Sequence, residues 1–491
     1  MIPVGTCATV RAADVAIIDG LGVPGAALIE VASRAVAEAV RARPEAARGV
    51  VVVCGVGNNG ADGYAAARWL RGWGFDVALV SVAVDRLRGD AATMRDAAIR
   101  LGIPEVDADA IDRAGVVVDA VFGSGLDRPV VGVEAALIAR MAAGPAPVVA
   151  VDLPSGVHAD TGVVLGAAAQ AVVTVTFGAF KPGLLAGPGC ELAGHVVCAD
   201  IGLGAARPAW DAEIPELTDL RWPTRSPSAY KGTSGHLLVV AGSAAMAGAA
   251  VLVCRGALAA GAGLVTLVAP RGAFVRLAAL PPEVMVILGG EGDRLETLDD
   301  RWLDGRTAIV AGPGLGGGGA LDPELAAALA RWWRWAPCAA LFDADALPCA
   351  LGDPAGPRVV TPHPGEAARM LGADVAAVQA DRFGAAARLA DGRVALLKGR
   401  CTLVAASGWP TSVNPRNTPV LATGGSGDVL AGVIGALLAR GEAPRRAAVL
   451  GAWVHGDAGC RLAAERAGGW GASDIAARLP EAIAALPSGG A

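Results

Sequence analysis

Apolar and polar positions change rhythm along this chain in a regular way. Val50-Val51-Val52-Val53-Cys54 has no polar interruption and is β-branched almost throughout, the pattern of a strand buried on both faces. Apolar runs at 76–82, 116–121, 147–151, 172–177 and 195–199 predict further strands, with stretches of helical spacing between them. That alternation predicts βαβ units and a parallel sheet. Residues 11–42 read as two helices broken at Gly22-Val23-Pro24-Gly25; their Ala-rich face packs on the core or on a second subunit. From 204 to 227 the periodicity fails and prolines accumulate (Pro208, Pro215, Pro223, Pro227), which predicts a connecting segment. The rhythm then resumes. Strands are expected at 237–241, 263–268, 307–311, 340–342 and 394–397. Helices are expected at 248–261, at 429–439 and from Arg445 onward. The reading is an α/β chain of two three-layer αβα domains, residues 1–207 and 227–491, joined by 208–226.

Composition narrows the classes. A net charge of -6 on 491 residues argues against a nucleic-acid surface. The best apolar run, 429–439, is too short to span a bilayer, so no membrane partner is expected. The first ten residues lack a basic region followed by an apolar stretch, so no signal peptide is read there. Nine scattered cysteines without a Cys-x-x-Cys fit a reducing cytoplasm and no cysteine metal site. Only three of 41 cations are lysines, Lys181, Lys231 and Lys398, and only four asparagines occur: Asn58, Asn59, Asn414 and Asn417. In a chain that uses Arg almost everywhere, the surviving Lys and Asn mark positions where chemistry requires them.

The candidate chemistry sits where strands end. Leu421-Ala422-Thr423-Gly424-Gly425-Ser426-Gly427-Asp428-Val429-Leu430 places three glycines at the entry of an apolar helix. Free N–H groups and the positive end of the helix dipole suit a phosphate there. Asp428 either complements that dipole or serves as general base toward a substrate hydroxyl during phosphoryl transfer. In the first half, the 50–54 strand runs into Gly55-Val56-Gly57-Asn58-Asn59-Gly60-Ala61-Asp62-Gly63. By letter this is a dinucleotide G-x-G-x-x-G; its amides and carboxylate set it apart from a dehydrogenase loop. Two more strands end in Asp119 and in Asp152-Leu153-Pro154-Ser155-Gly156. Ligands collect at such ends. Asn59, Asp119 and Ser155 can then converge as oxygen ligands, with Asp152 as acid or base; singly, each Asp also fits a cap or turn. One formal charge in an oxygen-only set suits a large monovalent cation better than zinc. His158 and His195 show no partner and read as structural. In the second half, Tyr230–His236, Gly312-Pro313-Gly314, Asp343-Ala344-Asp345, Thr361-Pro362-His363-Pro364-Gly365-Glu366 and Lys398-Gly399-Arg400-Cys401-Thr402 follow at strand or loop positions. Lys398, in a lysine-poor chain, points to phosphate contact.

The ordered set resembles a known family along nearly the whole chain. Residues 55–63, 119–126 and 152–156 resemble a Rossmann-like NAD(P)HX epimerase domain. Residues 231–236, 312–314, 361–366 and 423–428 resemble an ADP-dependent NAD(P)HX dehydratase domain of ribokinase-like fold. Their fusion resembles the bifunctional bacterial nicotinamide nucleotide repair enzymes. The resemblance implies NADHX and NADPHX as substrates, epimerisation of their R and S forms, and ADP-dependent dehydration of the S form to NAD(P)H with AMP and phosphate. It implies K⁺ on Asn59, Asp119 and Ser155, and Mg²⁺ with ADP in the second domain. Substrate contacts are implied at Asn58, Asn59, Gly60, Ala61, Asp62, at Gly123, Ser124, Gly125, Leu126, Asp127, Arg128, Pro129, and at Asp152. In the second domain they are implied at Ala249, Gly314, His363 and Asp428, with ADP at Lys398, Gly399, Arg400, Cys401, Thr402 and Gly427. Asp152 and Asp428 carry the catalysis, and a homo-oligomer is expected. Ala61 stands in place of a usual Gly, which restricts that turn; Val31 and Ser33 stand where the N-terminal helix often has Asn and Gly. A ribokinase-like vitamin or sugar kinase, a non-catalytic nucleotide sensor and an oxidoreductase are the rival readings.

Overall fold

The computed structural model describes residues 1–232 and 234–487, so Thr233 of the Tyr230–His236 stretch lies outside the described residues. The chain divides into two compact units, one of residues 2–213 and one from residue 214 onward.

The first unit contains the three-residue strand β1 (Ile2–Val4) and a six-stranded sheet of β2 (Val50–Cys54), β3 (Val77–Ser81), β4 (Val116–Ala120), β5 (Val148–Val151), β6 (Val173–Phe177) and β7 (His195–Ala199). Its order is β3-β2-β4-β5-β6-β7 and every pairing is parallel. The helices are α1 (Cys7–Val15), α2 (Gly25–Arg41), α3 (Asn58–Gly72), α4 (Gly89–Arg100), α5 (Gly132–Ala143) and the short α6 (Gly189–Leu192). The continuous Val run works because both sheet faces are covered. Val50, Val52 and Cys54 pack with α2, α3 and α4, whereas Val51 and Val53 pack with α5. Period-2 alternation thus splits one apolar strand between two cores and makes three layers.

The second unit follows β8 (Ala212–Ile214). Its strands are β9 (His236–Val240), β10 (Leu264–Ala269), β11 (Val284–Leu288), β12 (Ala308–Ala311), β13 (Ala339–Phe342), β14 (Arg358–Val360), β15 (Val394–Leu397), β16 (Thr402–Ala406) and β17 (Thr411–Asn414). They lie in the order β17-β16-β15-β14-β13-β12-β9-β10-β11. Pairing is parallel from β11 through β15, and β16 and β17 add an antiparallel hairpin. The helices are α7 (Ala247–Ala259), α8 (Pro323–Trp335), α9 (Pro364–Leu371), α10 (Val375–Ala380), α11 (Arg382–Leu389), α12 (Ser426–Ala439), α13 (Pro444–Glu465) and α14 (Ala472–Ala484). Apolar all round, α12 is buried along nearly its whole length between α7, α13 and the sheet.

The expected strands appear with ends shifted by a residue. The α/β class and the parallel sheets agree with the reading from pattern. Strands β11 and β14, the β16–β17 hairpin and helices α8 to α11 lie beyond that reading. The 208–226 stretch holds β8 and a 3₁₀ turn, Leu217–Asp219, rather than being wholly irregular. Among the described residues no helix is long and apolar enough to cross a membrane, and no two cysteines form a disulfide.

Candidate active sites

In the first unit α3 begins at Asn58, directly after the loop that leaves β2, so Asn58 to Asp62 form its opening turns. A Cβ on Gly60 would lie 2.0 Å from Gly55 O, so only glycine lets the helix close on the strand end. Ala61 is fully buried and donates its N–H to Gly57 O at 3.1 Å. Alanine is at home in a helix, so the restriction expected at Ala61 does not arise; the sensitive position is Gly60. The loop after β4 meets this turn: a Cβ on Gly123 would stand 2.7 Å from Asn59 Oδ1 and 3.1 Å from Asp152 Oδ2. Ser124 N–H donates to Asp152 Oδ2 at 3.0 Å. Leu126 packs into the core with Val121 and Val130, leaving only its backbone for a substrate. Gly125, Asp127, Arg128 and Pro129 are exposed.

Asp119 ends β4 fully buried and is gripped by Ser155, whose Oγ donates to Oδ1 at 2.5 Å and whose N–H donates to Oδ2 at 2.8 Å. Phe122 N–H in turn donates to Ser155 Oγ at 2.8 Å, and Phe122 O lies 3.2 Å from it. Burial pushes the Asp119 carboxyl above its ordinary range, against the pull of those hydrogen bonds. The buried Asn59 Nδ2 has no hydrogen-bond partner. One carboxylate, a hydroxyl, an amide and a carbonyl make a set of low charge that fits a large monovalent cation.

Asp152 follows β5 with φ +66°, a left-handed conformation uncommon for a non-glycine residue. Its Oδ1 accepts from Lys181 Nζ at 2.6 Å and from Thr176 Oγ1 at 3.0 Å. Lys181, also buried, donates further to Thr176 Oγ1 and Phe177 O. Burial opposes ionisation of Asp152, but the Lys181 charge and these hydrogen bonds outweigh it and hold the carboxyl below its usual value. Asp62 moves the other way: burial, reinforced by the Asp152 charge, pushes it well up. One site thus holds two carboxyls whose environments push them in opposite directions. Lys181 is the partner of Asp152 that pattern reasoning left without a role; its rarity was the available signal. His158 has a partner after all, its Nδ1 lying 3.1 Å from Thr161 Oγ1 within a turn. His195 is exposed on β7.

In the second unit the ends of β13 and β15 bring Asp343 and Lys398 to the N-terminus of α12, and His363 follows β14. Gly425 caps that helix at φ +87°, and a Cβ there would lie 2.4 Å from Leu252 Cδ1. Ser426 N–H donates to Thr423 O at 3.1 Å and Val429 N–H to Gly425 O at 3.2 Å. Among the described residues the N–H groups of Gly424, Gly425, Gly427 and Asp428 have no protein acceptor, which makes the turn an anion cradle. Lys398 Nζ lies 2.9 Å from Asp343 Oδ1 and 3.9 Å from Glu366 Oε2. A Cβ on Gly427 would stand 3.3 Å from Lys398 Nζ, so the two expected ADP contacts are adjacent. Burial opposes the lysine's charge, but Asp343 and Glu366 prevail and hold it protonated. Burial and then the Asp343 charge, against Lys398, push the Asp428 carboxyl up to about 7.

Ala249 on α7 meets Gly314, whose notional Cβ lies 3.0 Å from the alanine's. His363 caps α9, its Nδ1 accepting from Gly365 N–H at 3.0 Å, while its Nε2 lies 3.3 Å from Glu366 Oε1. Gly399, Arg400 and Cys401 turn from β15 to β16; Cys401 is buried at φ +51°, and Thr402 Oγ1 donates to Gly399 O. Asp345 Oδ2 accepts from Gly316 N–H at 2.9 Å.

Comparison with known proteins gives concordant findings. Residues 237–481 match the NAD(P)H-hydrate dehydratase family, and residues 25–183 match the YjeF-related protein N-terminus. The chain is similar to the bifunctional NAD(P)H-hydrate repair enzyme of Moorella thermoacetica, at 37% identity over 93% of either chain. It is 37% identical to the Escherichia coli protein so described, over 85% of this chain and 81% of that one. Of solved structures, an ADP/ATP-dependent NAD(P)H-hydrate dehydratase from Bacillus subtilis aligns with 54% of this chain and 94% of its own, at 30% identity and TM-score 0.48.

Proposed function

This chain belongs to the bifunctional NAD(P)H-hydrate repair enzymes, and on that premise we propose how its two sites divide the reaction. The substrates are NADH and NADPH whose nicotinamide ring has taken up water at C6. The first unit interconverts the R and S hydrates; the second dehydrates the S hydrate with ADP.

In the first site the ring-nitrogen lone pair breaks the C6–O bond to give a ring cation, and water returns to the opposite face of C6, giving its proton to Asp152, which is ionised and fixed by Lys181, Thr176 and Ser124. Asp62, whose carboxyl burial pushes well above its ordinary range, gives a proton to the departing hydroxyl so that it leaves as water. Asn59, Asp119 and Ser155 would hold K⁺, which would supply a positive charge beside the buried Asp119. The residues from Asn58 to Asp62 and from Gly123 to Pro129 line the substrate.

In the second site Asp428 takes the proton of the C6 hydroxyl as that oxygen attacks the β-phosphorus of ADP. The P–O bond to AMP breaks, and the free amides of the glycine turn together with Lys398 stabilise the charge in transfer. The lone pair of the ring nitrogen then expels phosphate to leave a ring cation, and loss of a proton from C5 restores NAD(P)H, so hydrate plus ADP gives NAD(P)H, AMP and phosphate. Asp343 and Glu366 offer hard oxygens for Mg²⁺, which supplies further neutralisation of phosphate charge. Lys398 to Thr402 and Gly427 hold ADP, with Ala249, Gly314 and His363 toward the hydrate. The observation that carries this reading is the set of unpaired amides around Gly427 with the Asp428 carboxyl, poised near neutrality, in the same turn.

Incubating the full chain with S-hydrate, ADP and Mg²⁺ should give NAD(P)H, AMP and phosphate in equal amounts. A phosphorylated hydrate that persists, with no reduced cofactor recovered, would instead make the second unit a kinase.

A further inference from the structure

The glycine turn has a mechanical difficulty. Gly424, Gly425 and Gly427 present the free amides but have no side chains by which the protein can hold them, and glycine is the residue most costly to order. Ser426 is the single side chain among them. Its N–H is committed to Thr423 O, and its Oγ lies 3.1 Å from His455 Nε2 on α13. Both residues are buried, Ser426 at 4% and His455 at 5% exposure. Burial, aided by the Lys398 charge and against a hydrogen bond to the Ser426 backbone, holds the imidazole down to about 4, so at neutral pH it is an uncharged hydrogen-bond partner.

Helix α13 braces the whole approach to this turn. Asn414 Nδ2 donates to Ala452 O at 2.7 Å, Asp457 pairs with Arg416 at 3.7 Å, and a Cβ on Gly459 would lie 2.9 Å from Leu421 Cδ2. Along this line His455 is the contact that reaches the glycines themselves.

We propose that His455 is a positioning residue for phosphoryl transfer: by holding the Ser426 hydroxyl it fixes the peptide planes on either side and aims the Gly425 and Gly427 amides at the transferring phosphoryl group. A free Ser426 hydroxyl would otherwise turn to the neighbouring unpaired N–H groups, as serine does at helix starts, and occupy the donors that the phosphoryl group needs. The role acts on the transition state more than on nucleotide binding, because the rest of the ADP site comes from a different strand end. It rests on the dehydratase reading above.

The test uses the full chain and its epimerase activity as a control for folding. His455→Ala and Ser426→Ala should each lower dehydration kcat at least ~10-fold, as loss of preorganised donors does. The double variant should fall no more than ~2-fold below the weaker single, since both break one contact. His455→Gln, which returns an amide nitrogen near the Nε2 position, should recover most of the loss, and AMP affinity by calorimetry should stay within ~2-fold of wild type. Wild-type kcat in His455→Ala, additive losses, or a parallel collapse of AMP affinity would overturn the proposal. Ser426→Ala removes one oxygen atom and carries the test should His455→Ala fail to fold. A wild-type chain inert toward S-hydrate and ADP would overturn the dehydratase reading itself, a result distinct from any of these.

Discussion

Two aspartates, one following a strand and one in the first turn of a helix, end up with opposite acid–base character. Asp152 has a buried lysine 2.6 Å away and is ionised early; Asp428 faces Asp343 across a shared site and ionises only at about 7. Since the proposed base must be ionised to act, dehydration kcat should rise with pH through about 7 and level above it. Asp428→Asn should remove that limb and lower kcat by ~10² or more, with epimerisation unchanged. A pH-independent wild-type rate between 6 and 8 would count against the role. The same shift has a stability consequence of definite sign. The folded chain retains this proton up to about 7, whereas an unperturbed Asp releases it at 3.8, so ionisation destabilises the fold increasingly between those values and fully above them. Asp428→Asn should therefore melt above wild type at pH 8. Both aspartates were legible in the sequence, because each follows a strand or opens a glycine-rich helix. Their charge states were not, because Lys181 lies 29 positions from Asp152 and Asp343 lies far upstream of Asp428.

At the scale of elements, function depends on how closely helices approach strand ends. The start of α3 can reach the end of β2 only because Gly60 presents no Cβ to Gly55 O, 2.0 Å from where one would be. Gly60→Ala should tilt α3 away, carry Asn58, Asn59 and Asp62 with it, and reduce epimerisation at least ~10-fold, in line with the cost of misplacing reacting groups by an ångström. Dehydration should be untouched, and normal epimerisation by the Gly60→Ala variant would show that the turn tolerates the shift. Strands with long apolar runs announced themselves. Those missed had weaker signals: β14 has three residues and carries buried Arg358, whose guanidinium is satisfied by carbonyls from Trp332, Trp333, Ala336 and Cys338. No periodicity rule anticipates an arginine in a core strand, since its partners come from another element. His363 shows a related limit: a His between prolines suggested a site residue, and the fold uses it first as a helix cap.

At the scale of the whole molecule, two chemistries reside on two units, each with its own apolar core. Damage to one site should therefore spare the other. Asp119→Ala removes the only carboxylate among the three proposed K⁺ ligands; K⁺ binding should weaken and R-to-S conversion slow, while S-hydrate is dehydrated at the wild-type rate. Measuring epimerisation against K⁺ concentration checks this, and an unchanged K⁺ dependence would remove Asp119 from the ligand set. The amino-acid sequence by itself determined the α/β class, the parallel sheets, the strand-end loops and the glycine turn. These follow from local periodicity, backbone freedom and the chemistry of neighbouring residues, all contained in short stretches of chain. The tertiary structure alone decided which loops meet: Asn59 with Asp152 across Gly123, Lys181 with Asp152, Lys398 with Gly427 and His455 with Ser426. It also decided which carboxyls hold their protons more tightly and which less. Burial and the electrostatics of close pairs depend on distance in space, and residues remote in sequence become neighbours only once the sheets have formed.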